Sequence, residues 1–191
     1  MRAVLLVLVI VLIAGGCGKA EKKVDTAPIP KGFEVPAGVT LTKGGTKLGV
    51  GRVAAAIYQV ADKTRSVITV SVDSVVRGNI ARDFKFFSLD DAAKVSTPYY
   101  VTATVKNIGP AGLGGAPIPL YAHDSTNTIS PPNELVGQFN PCPNGTLPKS
   151  FLAEATAKVC LVFLVPKGAK LETIDLQTVD LKTPVTWDPT K

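Results

Sequence analysis

Beyond residue 52 the chain alternates apolar and polar positions with a period of two, the signature of half-buried β-strands. Ile68, Val70 and Val72 alternate with Thr69, Ser71 and Asp73. Just before them, Val53, Ala55 and Ile57 alternate with smaller residues. The clearest strand sets Tyr99, Val101, Ala103 and Val105 against Tyr100, Thr102, Thr104 and Lys106. That alternation predicts Tyr99 inside and Tyr100 outward. Arg77-Gly78-Asn79 reads as a turn, and Asn107-Ile108-Gly109-Pro110 ends the clearest strand. Phe84, Phe86 and Phe87 carry large apolar area in a short segment, expected to plug the core.

Residues 109–148 are loop-rich, with many prolines, the run Gly112-Leu113-Gly114-Gly115, and short strand patterns at Ile118–Tyr121 and Leu135–Phe139. Val159 to Val165 is apolar on both faces, which predicts a central strand covered on two sides. Pro166-Lys167-Gly168 turns the chain. Leu171, Ile174 and Leu176, then Val179 and Leu181, predict a last long strand with a bulge, and Val185-Thr186-Trp187 closes the domain. No segment sustains a helical period. Many short strands separated by turn signals point to an all-β, antiparallel sandwich.

The first residues follow another logic. Met-Arg-Ala precedes an unbroken apolar stretch, Val4 to Ile13, and then Ala14-Gly15-Gly16-Cys17. One positive charge, a short apolar run and small residues before a cut site make an export signal. The run falls short of the roughly 20 residues that a membrane-spanning helix needs. Small residues at the three positions before Cys17 resemble the lipobox of bacterial lipoproteins, with Ala14 where Leu is commoner. The expectation is cleavage after residue 16 and lipidation of Cys17. The alternative is a conventional cleaved signal followed by an incidental cysteine. From residue 17 to 47 the chain is rich in Gly, Pro, Lys and Thr and reads as a flexible tether, in which Val35 and Val39-Leu41 could dock locally. The sandwich is expected over 48–191.

Losing Arg2 with the leader lowers the formal charge from +6 to +5. The basic residues are scattered, so the stripe expected of a nucleic-acid reader is missing. The mature chain has one histidine, His123, and no methionine, which argues against histidine-based metal clusters and Met-rich copper carriers. His123 beside Asp124 reads as a solvated loop residue, and Ser125 and Ser130 lack a nucleophile context. Asp90-Asp91 near Asp83 could hold calcium, but without EF-hand spacing a solvated turn is the simpler account. Asn144-Gly145-Thr146 fits a glycosylation sequon and, in a bacterial lipoprotein, reads better as a tight turn. No catalytic set, metal or cofactor is expected. Tyr99, Tyr100, Tyr121 and Trp187 are weighed for a recognition surface with core packing as the default for each, and Tyr100, Tyr121 and His123 are the candidate surface residues.

The order "VSVDSVVRG", "YYVTATVKNIG", "LPKSF…KVCLVFLVPKGAKLETIDL" and "VTW" resembles a family of immunoglobulin-like, telokin-like bacterial lipoproteins of unknown function, over roughly residues 66–187. The resemblance implies an immunoglobulin-like sandwich outside the cytoplasm and transfers no catalytic residues. The chain departs from the family in its long proline-rich insert around 110–148. With Cys17 lipidated, Cys142 and Cys160 remain, an even pair that is expected to bond in an oxidising compartment; two reduced thiols are the alternative. The function expected is that of a non-enzymatic binding or structural module, lipid-anchored on the extracytoplasmic face of a membrane, with a protein or other envelope partner. A small-ligand or ion sensor, or an accessory subunit of an envelope complex, is the alternative.

Overall fold

A computed structural model describes residues 29–61, 64–143, 145–179 and 181–191. The leader, Cys17 and the first part of the tether lie outside the described residues, as does Asn144. Among the described residues, nine strands and two single-turn helices follow one another as β1 (Lys47–Gly49), β2 (Val53–Ala61), β3 (Thr64–Arg77), α1 (Ile80–Asp83), α2 (Asp91–Lys94), β4 (Thr97–Asn107), β5 (Leu120–Asp124), β6 (Ile129–Ser130), β7 (Thr156–Val165), β8 (Leu171–Leu176) and β9 (Val185–Asp188). They form two sheets, β2-β3-β4-β7 and β1-β9-β8-β5-β6. All pairings are antiparallel except β1 with β9. An all-β sandwich is what the alternation predicts.

The core lies between the sheets. Ile68, Val70 and Val72 of β3 meet Val101, Ala103 and Val105 of β4, and Leu120, Ile174, Leu176 and Trp187 come from the opposite sheet. Trp187 is fully buried, and its indole N–H donates to the Arg52 carbonyl at 2.8 Å, so its one polar atom enters the core satisfied. A bulge at Asp73 lets β3 keep its apolar residues inside: Val72 faces Ala103 and Ser74 faces Thr102, with Asp73 the extra residue. Its carboxylate accepts from Ser71 Oγ at 2.5 Å and Thr104 Oγ1 at 2.6 Å.

Several expectations need correction. In β2 the core side is Ala54, Ala56 and Tyr58; Val53 is exposed, and Ile57 faces the other way. There Leu41 covers Ile57 and Val67, with Phe33, Val35 and Val39 packed alongside. Within the described part of the stretch read as tether, Val35, Val39 and Leu41 dock, as that reading allowed, together with Phe33, and β1 begins at its end, at Lys47. The 84–87 aromatics do not plug the inter-sheet core. Phe84 and Phe87 pack with Phe139 on the outside of the first sheet, while Phe86 points into solvent.

Leu135–Phe139 forms no strand, and β8 stops at Leu176, leaving Val179 exposed. The strand read as central, β7, is the last of its sheet. Its two apolar faces are real, because the inter-sheet core covers Leu161 and Phe163, and the Phe139 cluster covers Val162. An apolar run reports covered faces, whereas position within a sheet is set by hydrogen bonds that leave no trace in hydropathy.

Candidate binding groove

The groove forms because residues 131–143, with 145 and 146 beyond them, leave the sheets, cross the outer side of β7 and are tied back to it. Cys142 and Cys160 form a disulfide with Cα atoms 5.1 Å apart, within the reach that a bridge requires. Phe139 anchors the middle of the crossing, its ring centroid 4.7 Å from Phe84 and 5.5 Å from Tyr100. At the start of the crossing, the Asn133 amide donates to the Val162 carbonyl at 2.7 Å, and its side-chain oxygen accepts from the Leu164 amide at 2.9 Å. Between these fixings lies a cavity of about 570 Å³, floored by Cys160, Leu161 and Val162 and walled by Ile118, Tyr121 and the loop prolines. That size suits a small ligand or a short peptide.

A second depression of about 430 Å³ adjoins it at the sandwich end, sharing Pro117, Ile118 and Tyr121 with the first. There Tyr58 donates its hydroxyl to the Pro117 carbonyl at 2.6 Å. Burial, helped by the nearby Tyr121 hydroxyl, pushes the Tyr58 phenol up to about 12. Tyr58 is therefore a neutral donor that fixes the 117–119 segment over the core.

The three surface candidates come out differently. Tyr121 is half-exposed and lines both depressions. Tyr100 is not on a surface: it is buried under Phe139, and its hydroxyl donates to Asp83 Oδ2 at 2.7 Å. The alternation correctly turns it away from the inter-sheet core, but α1 and the 139 loop cover the outer face. Burial, and then the Asp83 carboxylate, push the Tyr100 phenol upward. His123 is not a solvated loop residue either. It stands in β5, half-buried, with Nδ1 3.5 Å from Asp175 Oδ2 and Nε2 3.0 Å from Asn127 Oδ1.

Asp175 had no signal in the sequence. It lies between Ile174 and Leu176, which face the core, so its own side chain points to the outer face of the second sheet and is covered by its neighbours there. Its Oδ1 accepts from Thr173 Oγ1 at 2.6 Å, while Oδ2 is buried without a hydrogen bond. Desolvation raises its pKa, opposed by the Thr173 hydroxyl and by His123.

The three aspartates weighed for calcium do not converge. Asp90 caps α2 through the Ala93 amide, and Asp91 pairs with Lys94. Asp83 accepts from Arg82, the Asn79 amide and Tyr100. Ser125, weighed as a nucleophile, accepts the Lys170 amide at 3.0 Å and so braces a turn. Among the described residues no helix is long and apolar enough to cross a membrane. Compared with known proteins, the chain matches no family model, no curated sequence and no solved structure.

Proposed function

We propose that this chain is an extracytoplasmic lipoprotein, held to a membrane through Cys17, whose immunoglobulin-like sandwich works as a non-enzymatic binding module with its partner seated in the groove beside β7. The observation that carries this reading is the stapled crossing: a long loop fixed by a disulfide, an aromatic anchor and Asn133, which together hold a cavity open on a rigid edge. Long loops held on rigid scaffolds are where binding residues collect, and pre-organisation lowers the entropy lost when a partner docks. The leader and the lipobox-like residues before Cys17 supply the location.

The test is photo-crosslinking in cells that express the full chain. A photoreactive residue at Leu135, in the groove, should capture an envelope component, and one at Val53, exposed on β2, should not. Equal capture from both positions, or none from Leu135, would remove the groove from the reading.

A further inference from the structure

Resting on that reading, we infer that the groove takes an extended peptide segment of a partner protein, laid parallel to β7 and carrying a basic side chain beside Glu134. Asn133 binds the outer edge of β7 twice. Its amide reaches the Val162 carbonyl and its side-chain oxygen takes the Leu164 amide. One residue bridging two groups two positions apart is the pattern of a parallel strand, with Asn133 opposite Phe163 and its carboxamide imitating a backbone carbonyl. The outer edge of β7 has therefore already accepted one residue of a parallel strand.

The next step along that edge lies opposite Leu161 and offers the Cys160 carbonyl and the Val162 amide. The even-numbered residues of β7 turn their backbone groups away from β4, as the bonds at Val162 and Leu164 require. Among the described residues no strand lies beyond β7 in its sheet. The chain itself cannot complete that step, because the residues before Asn133 are Pro131 and Pro132, which have no N–H to give the Cys160 carbonyl. Cys160, Leu161 and Val162 line the cavity, so the unfilled step opens onto space. Gly145 flanks it, and a Cβ there would come to 3.7 Å from the Cys160 carbonyl oxygen, so a larger side chain would enter the same space without backbone strain.

These groups select an extended backbone, since main-chain pairing along an exposed edge is a general mode of peptide recognition. The Tyr121 ring and the proline walls offer apolar contact to such a segment. Among the described residues of the lining Glu134 alone is charged, and it is exposed, so the complementary segment carries Lys or Arg at that end.

The experiment uses the full chain in detergent micelles and a set of capped seven-residue peptides of alternating Val and Thr with varied flanks, with or without a terminal Lys. Two further versions carry N-methyl groups on one or the other alternate set of amides. A paired strand presents only one of its edges to β7. Methylation of one set should therefore weaken binding at least tenfold, and methylation of the other should change it little.

Gly145→Val should also weaken binding at least tenfold with an unchanged melting temperature. Glu134→Gln should weaken the Lys peptide several-fold and leave the neutral one alone. No binding across the set, equal loss from both methylated versions, or unchanged binding by Gly145→Val would overturn the inference. So would a crosslink from Leu135 to residues 18–28 of the same chain, which would make the occupant internal. If Leu135 captures an envelope partner while the peptides fail, the binding-module reading stands and the parallel-strand occupant falls. If Leu135 captures nothing, the reading itself falls.

Discussion

The hydroxyl of Tyr100 in β4 donates to Asp83 in α1 at 2.7 Å, and this bond pins a single-turn helix onto the outer face of the sheet. Asp83 also accepts from the Asn79 amide at 2.8 Å and from Arg82 Nε at 2.6 Å. The Arg82 bond leads in holding its carboxyl well below the usual carboxylate range. Tyr100→Phe keeps the ring against Phe139 and deletes the bond. A hydrogen bond to a charged group is worth about 1.5–3 kcal/mol, so the variant should lose stability of that order at neutral pH. A carboxyl depressed on folding contributes stability above its unfolded value near 3.9 and loses it as pH falls toward the folded value. The gap between variant and parent should therefore narrow only in strong acid. Urea denaturation of both proteins between pH 7 and pH 2 measures it.

Reducing the Cys142–Cys160 bridge should loosen the crossing while the sheets remain. The bridge spans 18 residues, and closing a loop of that length is worth about 3 kcal/mol in the chain-entropy model. The paired Cys142→Ser, Cys160→Ser variant should fall by about that much in chemical denaturation. Amide exchange should rise between residues 133 and 146 more than in β3 or β4. Uniform acceleration across both sheets would mean that the staple holds the whole fold and not the groove.

Strands were legible in this sequence where one face meets water, and obscure where both faces are covered. β3 and β4 alternate cleanly because their outer sides carry Ser71, Asp73, Thr102 and Thr104. β7 hid its edge position because Phe139, 23 residues before Val162, covers its outer side. The same covering took Tyr100 off the surface, and it depends on α1, which is too short to show a period. The disulfide was legible by counting cysteines, and Tyr121 stood out as an aromatic within a loop-rich stretch. Neither Asn133 nor Asp175 was, since each acts through a partner distant in sequence or across a sheet.

Asp175 carries a cost that a substitution should relieve. Burial raises its pKa, so between the unfolded carboxyl value near 3.9 and its folded value the native state binds more protons, and stability falls as pH rises. Asp175→Asn removes that ionisation and keeps an acceptor for Thr173. The variant should gain on the parent as pH climbs from 4 to 7, in thermal melts at fixed ionic strength. His123→Ala removes the imidazole 3.5 Å from Asp175, which opposes the rise of its pKa, and should deepen the fall of stability over the same interval relative to the parent. A parent whose stability rises with pH between 4 and 7 relative to Asp175→Asn would mean that the carboxylate is favoured in the fold.

The loop before β5 depends on a backbone approach that only glycine allows. A Cβ at Gly114 would collide with the Lys149 carbonyl, and the neighbouring Leu113 amide donates to the Phe151 carbonyl at 2.8 Å. Leu113 and Phe151 are both buried in the main core, so the clash cannot be relieved without pulling one of them out. Gly114→Ala should cost about 2 kcal/mol or more, the range for core strain. Gly115→Asn, one residue on, has open space around its Cβ and a φ of 72° that Asn tolerates better than most residues, so it should cost far less. Comparing the two by denaturation separates steric approach from backbone conformation.

The anchor is tested at Cys17. A run of ten apolar residues after Arg2, with small residues directly before a cysteine, suits a peptidase that cuts only once the thiol has been alkylated by a diacylglyceryl group. Two or three acyl chains hold a protein at a bilayer far more firmly than one, because each buried methylene adds about 0.8 kcal/mol. Cys17→Ala should therefore abolish labelling by a fatty-acid probe, leave the precursor uncut and lengthen the mature protein by the 16 leader residues in mass spectrometry. The other two cysteines cannot rescue the label, since they are bonded to each other. Labelling retained in the variant, or cleavage at an unchanged position, would make residues 1–16 an ordinary export signal. The binding module would then be a freely diffusing one.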